Sequence, residues 1–290
     1  METQMEKAYA KLNISLDVLS KRADGYHDMR MVMQSVSLSD DVSVTLREDG
    51  AVRAATNLRF LPSDDRNIAV KAAKAFFSRL GRNDSGADIS IFKRIPVCSG
   101  MGGGSSDGAA VLRALNELTG KPFTRAELES LGASLGSDVP FCVAGGTSLA
   151  EGRGEVLCDL PAFPDCRFVI AKPRFSISTP ELFSKIDLVS VKYHPDTQGL
   201  VASLNSGDLK GVCRRMYNVF EDVLPPKPND VPVIKSFLLD SGALGAVMTG
   251  TGSAVFGIFD NEEKARRAFS LLSGRYTEVF LAEPQGPLAI

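Results

Sequence analysis

Alternation of apolar and polar residues is clearest near the start of the chain, in YAKLNISLDVL from Tyr9 to Leu19. Apolar side chains occupy every second position there, which is the two-residue period of a β-strand. The pattern predicts a strand that carries Lys11 and Asn13 on the same side. The apolar set is Leu12, Ile14, Leu16 and Val18, and the polar set also contains Ser15 and Asp17.

Strand and helix signals alternate through the rest of the first half. Two further segments have the strand period, and two have the period of an amphipathic helix. Asn67 is the predicted N-cap of the first helix, and Thr124 with Glu127 forms a capping pair for the second. The strands are predicted over Asp41–Leu46 and Ala87–Phe92, and the helices over Asn67–Gly81 and 124–136.

The second half begins after a proline-flanked segment, CDLPAFPDC (Cys158–Cys166). We predict a domain boundary near residue 160, which gives domains 1–160 and 161–290. A strand–turn–strand pattern with flanking helices is typical of an α+β domain with an antiparallel sheet. The predicted elements are strand Arg167–Pro173, helices within 197–222 and 230–241, a strand–turn–strand within 242–260, helix 261–274 and strand 277–283.

Charge and composition narrow the classes of function. The 290 residues carry a formal net charge of −2, so no general basic field attracts nucleic acid or a membrane surface. No apolar run is long enough for a membrane span. The five cysteines form no CxxC pair and only two histidines accompany them, which argues against a zinc site. We expect a cytoplasmic protein, monomeric or weakly dimeric, that acts on a small molecule.

Glycines and serines cluster ahead of a predicted helix in IPVCSGMGGGSSDGAAVLRAL (Ile95–Leu115). The helical period continues to Leu118, and Gly120 with Pro122 ends it. A glycine loop that leads into a helix N-terminus exposes backbone N–H groups and the positive end of the helix dipole, so it binds anions. Phosphate is the commonest such anion. The segment therefore supports nucleotide binding, with a merely flexible turn as the alternative.

Two familiar phosphate-loop patterns do not fit this segment. The P-loop requires a lysine after the glycines, and none follows here. The dinucleotide pattern G-x-G-x-x-G fails because its third glycine is Ser105 when counted from Gly100 and Asp107 when counted from Gly102. What remains is a proline, a short spacer, a Gly/Ser run and a helix.

That remaining pattern, PVCSGMGGGSSDGAA, resembles the phosphate-binding motif of the GHMP kinases, which include galactokinase and homoserine, mevalonate and phosphomevalonate kinases. LGSDVPFCVAGGTSLAEGRGE and MTGTGSAVFGIF match further family motifs in the same order. The resemblance implies an α+β, two-domain GHMP kinase fold with an N-terminal ribosomal-protein-S5-like α/β domain and a C-terminal ferredoxin-like α+β domain. It also implies an enzyme that uses ATP and Mg²⁺ to phosphorylate an alcohol.

The opening AKLNISLDVLSKRADGYHDM resembles one branch of the superfamily. Members of that branch phosphorylate the 2-hydroxyl of 4-diphosphocytidyl-2-C-methyl-D-erythritol in non-mevalonate isoprenoid synthesis, so the implied substrate is a cytidine diphosphate-linked polyol. One alternative is a kinase for another alcohol, such as homoserine or mevalonate, which would not need KRADGYH. The other is a nucleotide-binding protein without catalysis, which would need neither Lys11 nor Asp138.

The resemblance assigns the ATP side of the site to the Gly/Ser run. The hydroxyls of Ser105 and Ser106 would bind phosphate oxygens, and Ser106 is the candidate Mg²⁺ ligand. Asn67 would lie near the adenine, although helix capping alone explains it. Asp107 either complements the helix N-terminus or belongs to the site. The implied ATP-binding residues are Pro96, Gly100, Gly102, Gly103, Gly104, Ser105, Ser106 and Asn67.

Asp138 and Lys11 match the catalytic aspartate and lysine of the family. An ionised aspartate would accept the proton of an alcohol, whereas backbone capping in GSDVP is the alternative role. Lys11 would keep that carboxylate anionic and stabilise charge on the γ-phosphate. The alternative for Lys11 is a solvated strand residue.

The acceptor side of the implied site begins at the turn in KRADGYH. The turn would present Tyr26 and His27, which would stack on a cytosine and hydrogen-bond its edge. A second Gly/Ser loop, TGTGS, would close over the acceptor, and a plain hairpin turn is the alternative. The implied substrate-binding residues are Asn13, Tyr26, His27, Thr179, Phe183, Thr249 and Gly250.

Overall fold

Two β-sheets with helices packed against them form the described part of the computed structural model, which is residues 2–187, 189, 191–224 and 230–290. The strands are β1 (Thr3–Lys21), β2 (His27–Arg47), β3 (Val52–Thr56), β4 (Gly86–Phe92), β5 (Thr147–Gly152), β6 (Val156–Asp159), β7 (Arg167–Lys172), β8 (Tyr217–Asn218), β9 (Gly245–Met248), β10 (Val255–Phe259) and β11 (Glu278–Ala282). The helices are α1 (Ile68–Leu80), α2 (Gly103–Leu118), α3 (Arg125–Ala133), α4 (Val139–Ala144), α5 (Thr179–Asp187), α6 (Thr197–Asn205), α7 (Leu209–Cys213), α8 (Val231–Asp240) and α9 (Glu262–Ser273).

The first sheet is built around the long antiparallel pair β1 and β2. Its strand order is β3-β4-β2-β1-β8, and β5 pairs with both β2 and β6. One edge of β2 pairs with β4 through residues 41–47 and with β5 through residues 29–34. The sequence predicted only the last part of β2, because much of its earlier half is buried and lacks the alternation of a half-exposed strand.

Helix boundaries in the first half follow their capping residues. The side chain of Asn67 accepts a hydrogen bond from the N–H of Ala69 (3.0 Å), which confirms the predicted N-cap of α1. Thr124 and Glu127 form the predicted capping box of α3. In the described residues, no helix has the length and apolar character needed to cross a membrane.

The second sheet is antiparallel, as predicted, with the strand order β11-β7-β10-β9. The hairpin of β9 and β10 is closed by the TGTGS loop, residues 249–253. This hairpin carries the loop toward the first sheet, because Ala254 N–H donates to the carbonyl of Ser99 (3.1 Å).

The helices predicted within 197–222 are α6 and α7, and the same region also contains β8 and a short 3₁₀ helix (Val219–Val223), which were not predicted. Gly207 has a φ of 68°, and Asp208 caps the new helix α7, so α6 stops there. β8 then pairs in parallel with β1 of the first sheet.

The chain passes from the first sheet to the second between Asp159 and Arg167. We therefore propose the domain boundary near residue 160, with β8 returning to the first sheet.

Arg113 ties three elements together beneath the candidate site. Its guanidinium donates to the carbonyls of Lys7 in β1 and Cys142 in α4 (2.8 Å each) and to the carboxylate of Glu6 (3.1 Å). The residue is 4% exposed. Its loss would leave buried acceptors without partners, which costs about 1–3 kcal/mol for each group.

Arg113→Met should therefore lower the free energy of unfolding by about 3 kcal/mol. Urea denaturation of the purified variant measures the change. Arg66→Met is the matched control, because the side chain of Arg66 is 78% exposed; it should change the value by less than about 0.5 kcal/mol. A loss for Arg113→Met as small as that of the control would contradict this role.

Candidate active site

The glycine loop leads directly into α2 and leaves the helix N-terminus open. The N-cap is Gly102, with a φ of 71° and no side-chain cap, and the first helical hydrogen bond runs from the N–H of Ser106 to its carbonyl (2.8 Å). Backbone N–H groups of the first turn are thus available to an anion. A Cβ atom at Gly102 would lie 3.0 Å from Cγ of Lys11 and 3.8 Å from Oδ2 of Asp138. The positive φ and the nearby lysine stem therefore favour glycine at this position, which lies close to both predicted catalytic residues.

Two cavities meet at this loop. The larger has a volume of about 840 Å³ and the smaller about 350 Å³. Both are lined by Cys98, Gly100, Gly102 and Ser105, so the loop forms their common wall. The smaller cavity also contains Asn67, Pro96, Gly103 and Gly104, and the larger contains Lys11, Asp138, Tyr26, His27, Thr179, Phe183 and Gly250.

Lys11 and Asp138 form an ion pair in the larger cavity, with 3.5 Å between Nζ and Oδ2. The side chain of Lys11 is only 5% exposed, whereas that of Asp138 is 30% exposed. Lys11 Nζ also donates to Oδ1 of Asn13 (2.6 Å), which holds the ammonium in place. Lys11 is thus a buried cation beside an accessible carboxylate, not a solvated strand residue.

Asp138 immediately precedes α4 without using its side chain as a cap. Val139 and Pro140 of the segment GSDVP open α4, where the fixed φ of proline is tolerated. The carboxylate of Asp138 therefore does not cap the helix, which was the alternative role. Its oxygen atoms remain available at the cavity wall.

Three predicted ligand-binding side chains face the protein interior instead. Ser106 Oγ donates to the carbonyl of Tyr9 (2.6 Å), and the residue is 1% exposed, so the structure does not bring the candidate Mg²⁺ ligand to either cavity. Asn13 and Thr249 are fully buried, and Thr249 Oγ1 accepts from the N–H of Asn13 (3.0 Å). These residues brace the site and do not line it. Ser105, next to Ser106, lines both cavities.

The TGTGS loop packs against the glycine loop backbone to backbone. A Cβ at Gly100 would lie 2.2 Å from the carbonyl oxygen of Thr249, and one at Gly250 would lie 2.7 Å from that of Gly100. Asn218, which the sequence did not single out, donates to the carbonyls of Met248 and Gly250 (2.8 Å each). The second loop is therefore a fixed wall of the larger cavity and more than a plain hairpin turn.

The far end of the larger cavity is aromatic. The imidazole of His27 stacks on Phe183, with ring centroids 4.7 Å apart and planes inclined by 27°. Tyr26 is 54% exposed, and the hydroxyl of Thr179 lies 2.8 Å from that of Thr251. Such an end suits a flat heteroaromatic group.

Sequence reasoning missed two charged residues at this aromatic end. The guanidinium of Arg153 lies 5.1 Å from the ring centre of Tyr26 and lines the cavity. Oδ1 of Asp187 lies 2.7 Å from Nε2 of His27, within hydrogen-bond distance. Arg153 lies in the turn EGRGE, and a cation between two glycines is the sequence feature that could have marked it as a candidate site residue. No sequence feature marks Asp187 in this way, because its partner His27 is 160 residues away in the chain.

A buried charge cluster lies beneath the glycine loop. Lys93 Nζ contacts Oδ2 of Asp40 (2.5 Å) and Oδ2 of Asp107 (2.6 Å), while Asp40 Oδ1 accepts from the N–H of Ile95 (2.8 Å). Oδ1 of Asp107 is buried without a partner in the described residues. Burial, together with the neighbouring Asp40 carboxylate, holds the pKa of Asp107 well above its usual range, although Lys93 opposes the shift.

Two family models match the chain. They are "GHMP kinases N terminal domain" over residues 67–146 and "GHMP kinases C terminal" over residues 200–276. A Brevibacillus brevis protein named 4-diphosphocytidyl-2-C-methyl-D-erythritol kinase is 42% identical over 280 residues, which are 97% of this chain and 96% of that protein. The Clostridium acetobutylicum protein of the same name is 41% identical over 95% of this chain and 98% of its own length.

The chain belongs to the 4-diphosphocytidyl-2-C-methyl-D-erythritol kinase family of GHMP kinases.

Solved structures agree with this family assignment. A crystal structure of 4-(cytidine 5'-diphospho)-2C-methyl-D-erythritol kinase matches with a TM-score of 0.79 and 27% identity, over 98% of this chain and 100% of that one. A homoserine kinase from Cytophaga hutchinsonii shares the fold, with a TM-score of 0.77 and 21% identity, over 100% of this chain and 98% of that one. The predicted two-domain α+β GHMP fold is confirmed. The chain is an ATP-dependent small-molecule kinase.

The raised pKa of Asp107 predicts a pH dependence of stability. The folded state binds the carboxyl proton of Asp107 more tightly than the unfolded state does. The stabilisation that this protonation gives to the folded state is therefore complete below about pH 4 and is lost as the pH rises. Asp107→Asn removes the titration, so the stability of the variant should fall less than that of the wild type between about pH 5 and about pH 9. Urea denaturation across this range measures it.

Asp165→Asn provides the control, because the side chain of Asp165 is 93% exposed. Its stability should follow the wild-type pH profile. If the Asp107→Asn profile also runs parallel to that of the wild type, Asp107 does not titrate in this range.

Proposed function

We propose that this enzyme transfers the γ-phosphoryl group of ATP to the 2-hydroxyl of 4-diphosphocytidyl-2-C-methyl-D-erythritol, a step of non-mevalonate isoprenoid synthesis. The observation that carries the proposal is the Lys11–Asp138 pair in one cavity with both the glycine loop and the His27–Phe183 stack. The cavity thus joins a phosphate site, a proton acceptor and a place for a heteroaromatic base. The names of the relatives support the same substrate.

The smaller cavity is the proposed site of the adenosine of ATP. Its lining includes Ile68, Pro96 and the capping residue Asn67, which together offer apolar surface and polar groups. The triphosphate would run along the common wall toward Lys11, where the N–H groups at the start of α2 and the Ser105 hydroxyl would bind its oxygens. The uncapped N-terminus of α2 supports this assignment.

The chemistry proposed for Asp138 and Lys11 follows from their charges. Asp138 accepts the proton of the 2-hydroxyl as the hydroxyl oxygen bonds to the γ-phosphorus. The bond from that phosphorus to the β–γ bridging oxygen breaks, and ADP leaves. Lys11 is buried and fixed by Asn13, so its charge stabilises the phosphoryl group without reorganisation.

Mg²⁺ is part of the proposal as the ion that accompanies ATP. The described residues contain no group of three or more His, Cys, Asp or Glu side chains that would hold a metal by themselves. The Ser105 hydroxyl and the Asp138 carboxylate offer oxygen donors at the cavity wall, which suits an ion held mainly by phosphates and water. When bound, Mg²⁺ neutralises charge on the triphosphate.

The choice of acceptor is tested by ADP release with ATP, Mg²⁺ and one alcohol at a time. We expect release with 4-diphosphocytidyl-2-C-methyl-D-erythritol and only background with homoserine or mevalonate, because neither smaller alcohol reaches the aromatic end of the cavity. Turnover of homoserine or mevalonate in preference to the cytidyl compound would assign another kinase activity. Binding of ATP without turnover of any alcohol would favour the non-catalytic alternative.

Asp138→Ala should lower kcat by about a hundredfold or more, because it removes the proton acceptor. ATP should still bind, which a fluorescent nucleotide titration measures, since the glycine loop and the adenosine cavity are intact. Asp84→Asn, at an exposed loop carboxylate, is the control and should keep the wild-type kcat. Wild-type turnover in Asp138→Ala would remove Asp138 as the base.

A further inference from the structure

We infer that Asp187 is a positioning residue that holds His27 in the tautomer able to accept a hydrogen bond from the amino group of cytosine. By this means Asp187 sets a preference for cytosine over uracil. The inference rests on the proposed function, because it takes a cytosine to lie at the aromatic end of the larger cavity.

The contact between Asp187 and His27 joins two distant parts of the chain. Asp187 is the last residue of α5, the helix that also carries Thr179 and Phe183, and His27 is the first residue of β2. His27 Nε2 lies 2.7 Å from Oδ1 of Asp187, and the side chains are 7% and 25% exposed. The other carboxylate oxygen pairs with the ammonium of Lys21.

The charge state of Asp187 decides which nitrogen of His27 carries the hydrogen. Lys21 and His27 hold the pKa of Asp187 below its usual range, so it is a carboxylate and only accepts hydrogen bonds. Nε2 of His27 must therefore be the donor. A neutral imidazole that donates through Nε2 keeps its lone pair on Nδ1, so in this tautomer Nδ1 is an acceptor.

The ring of His27 is also fixed in orientation. It stacks on Phe183, and in the described residues its Nδ1 has no protein hydrogen-bond partner. His27 lines the larger cavity. A ring that is fixed at a ligand cavity and has a free acceptor nitrogen is suited to accept a hydrogen bond from a donor group of the ligand.

Cytosine and uracil differ at the group that such an acceptor can recognise. On the edge of a nucleoside-linked cytosine, O2 and N3 are acceptors and the amino group at C4 is the donor. An acceptor Nδ1 can therefore pair only with that amino group. In the same pose, uracil would place its C4 carbonyl oxygen against the lone pair of Nδ1 and be repelled, because its N–H donor is displaced to N3. Loss of Asp187 would free His27 to donate through Nδ1 and relax the discrimination.

The second histidine offers an internal reference, because it contacts a carboxylate through the other ring nitrogen. His194 contacts Oδ1 of Asp17 through Nδ1, at 2.7 Å. The chain contains only these two histidines. A ¹⁵N-histidine-labelled protein thus gives two imidazole patterns, and His194→Gln assigns them.

The first experiment is a long-range ¹H–¹⁵N correlation spectrum of the labelled wild type at about pH 8, where free imidazole is neutral. We expect a protonated Nε2 and an unprotonated Nδ1 for His27, and a loss of this fixed pattern in Asp187→Ala. Glu181→Ala, an exposed position on the same helix, is the matched control and should leave the pattern unchanged. A wild-type His27 protonated at Nδ1 would overturn the inference without touching the kinase assignment.

The second experiment compares CDP and UDP as inhibitors competitive with the cytidyl substrate. In Asp187→Ala, the ratio of the UDP to the CDP inhibition constant should fall by about tenfold relative to the wild type, with KM for ATP unchanged. Mere loosening of α5 would weaken CDP and UDP alike, so an unchanged ratio overturns the inference. Failure of the wild type to bind CDP at all would overturn the proposed function, and the inference with it.

Discussion

The buried ammonium of Lys11 is the constraint on which the rest of the site depends. An unpaired charge in a protein interior is costly, so Lys11 requires polar partners that other segments must deliver. Asn13 comes from the same strand, Asp138 from the entrance to α4, and the glycine loop closes over the lysine stem at Gly102. Strand, helix and loop are therefore held in one arrangement, and Arg113 fixes the same strand and helix from below.

Glycine is required in both loops because their backbones approach each other and the Lys11 side chain too closely for a Cβ atom. The absence of side chains at these glycines also exposes the N–H groups at the start of α2. The proposed phosphate site and the rigid cavity wall thus have one structural cause, and the reacting end of a bound nucleotide would be directed toward Lys11 and Asp138. The buried Lys93–Asp40–Asp107 cluster anchors the loop on its other side.

The pattern of the sequence predicted more of the fold than of the orientation of side chains. Asn67, Thr124 and Glu127 act locally, so their capping roles could be predicted from short segments. The interior orientation of Ser106 could not be predicted in this way, because its acceptor belongs to Tyr9 on another element. The same holds for Thr249, which contacts Asn13 in the opposite half of the chain. Both side chains were expected at ligands and instead hold the loops together.

By itself, the sequence determined the β1 strand with Lys11 and Asn13 on one side, the glycine loop ahead of a helix, and the family, because periodicity and motifs are properties of neighbouring residues. Only the tertiary structure decided that Asp138 stands beside Lys11, that β8 returns to the first sheet, and that Asp187 reaches His27. Each of these is a contact between residues far apart in the chain. Such contacts depend on how sheets and helices pack, which no local pattern records.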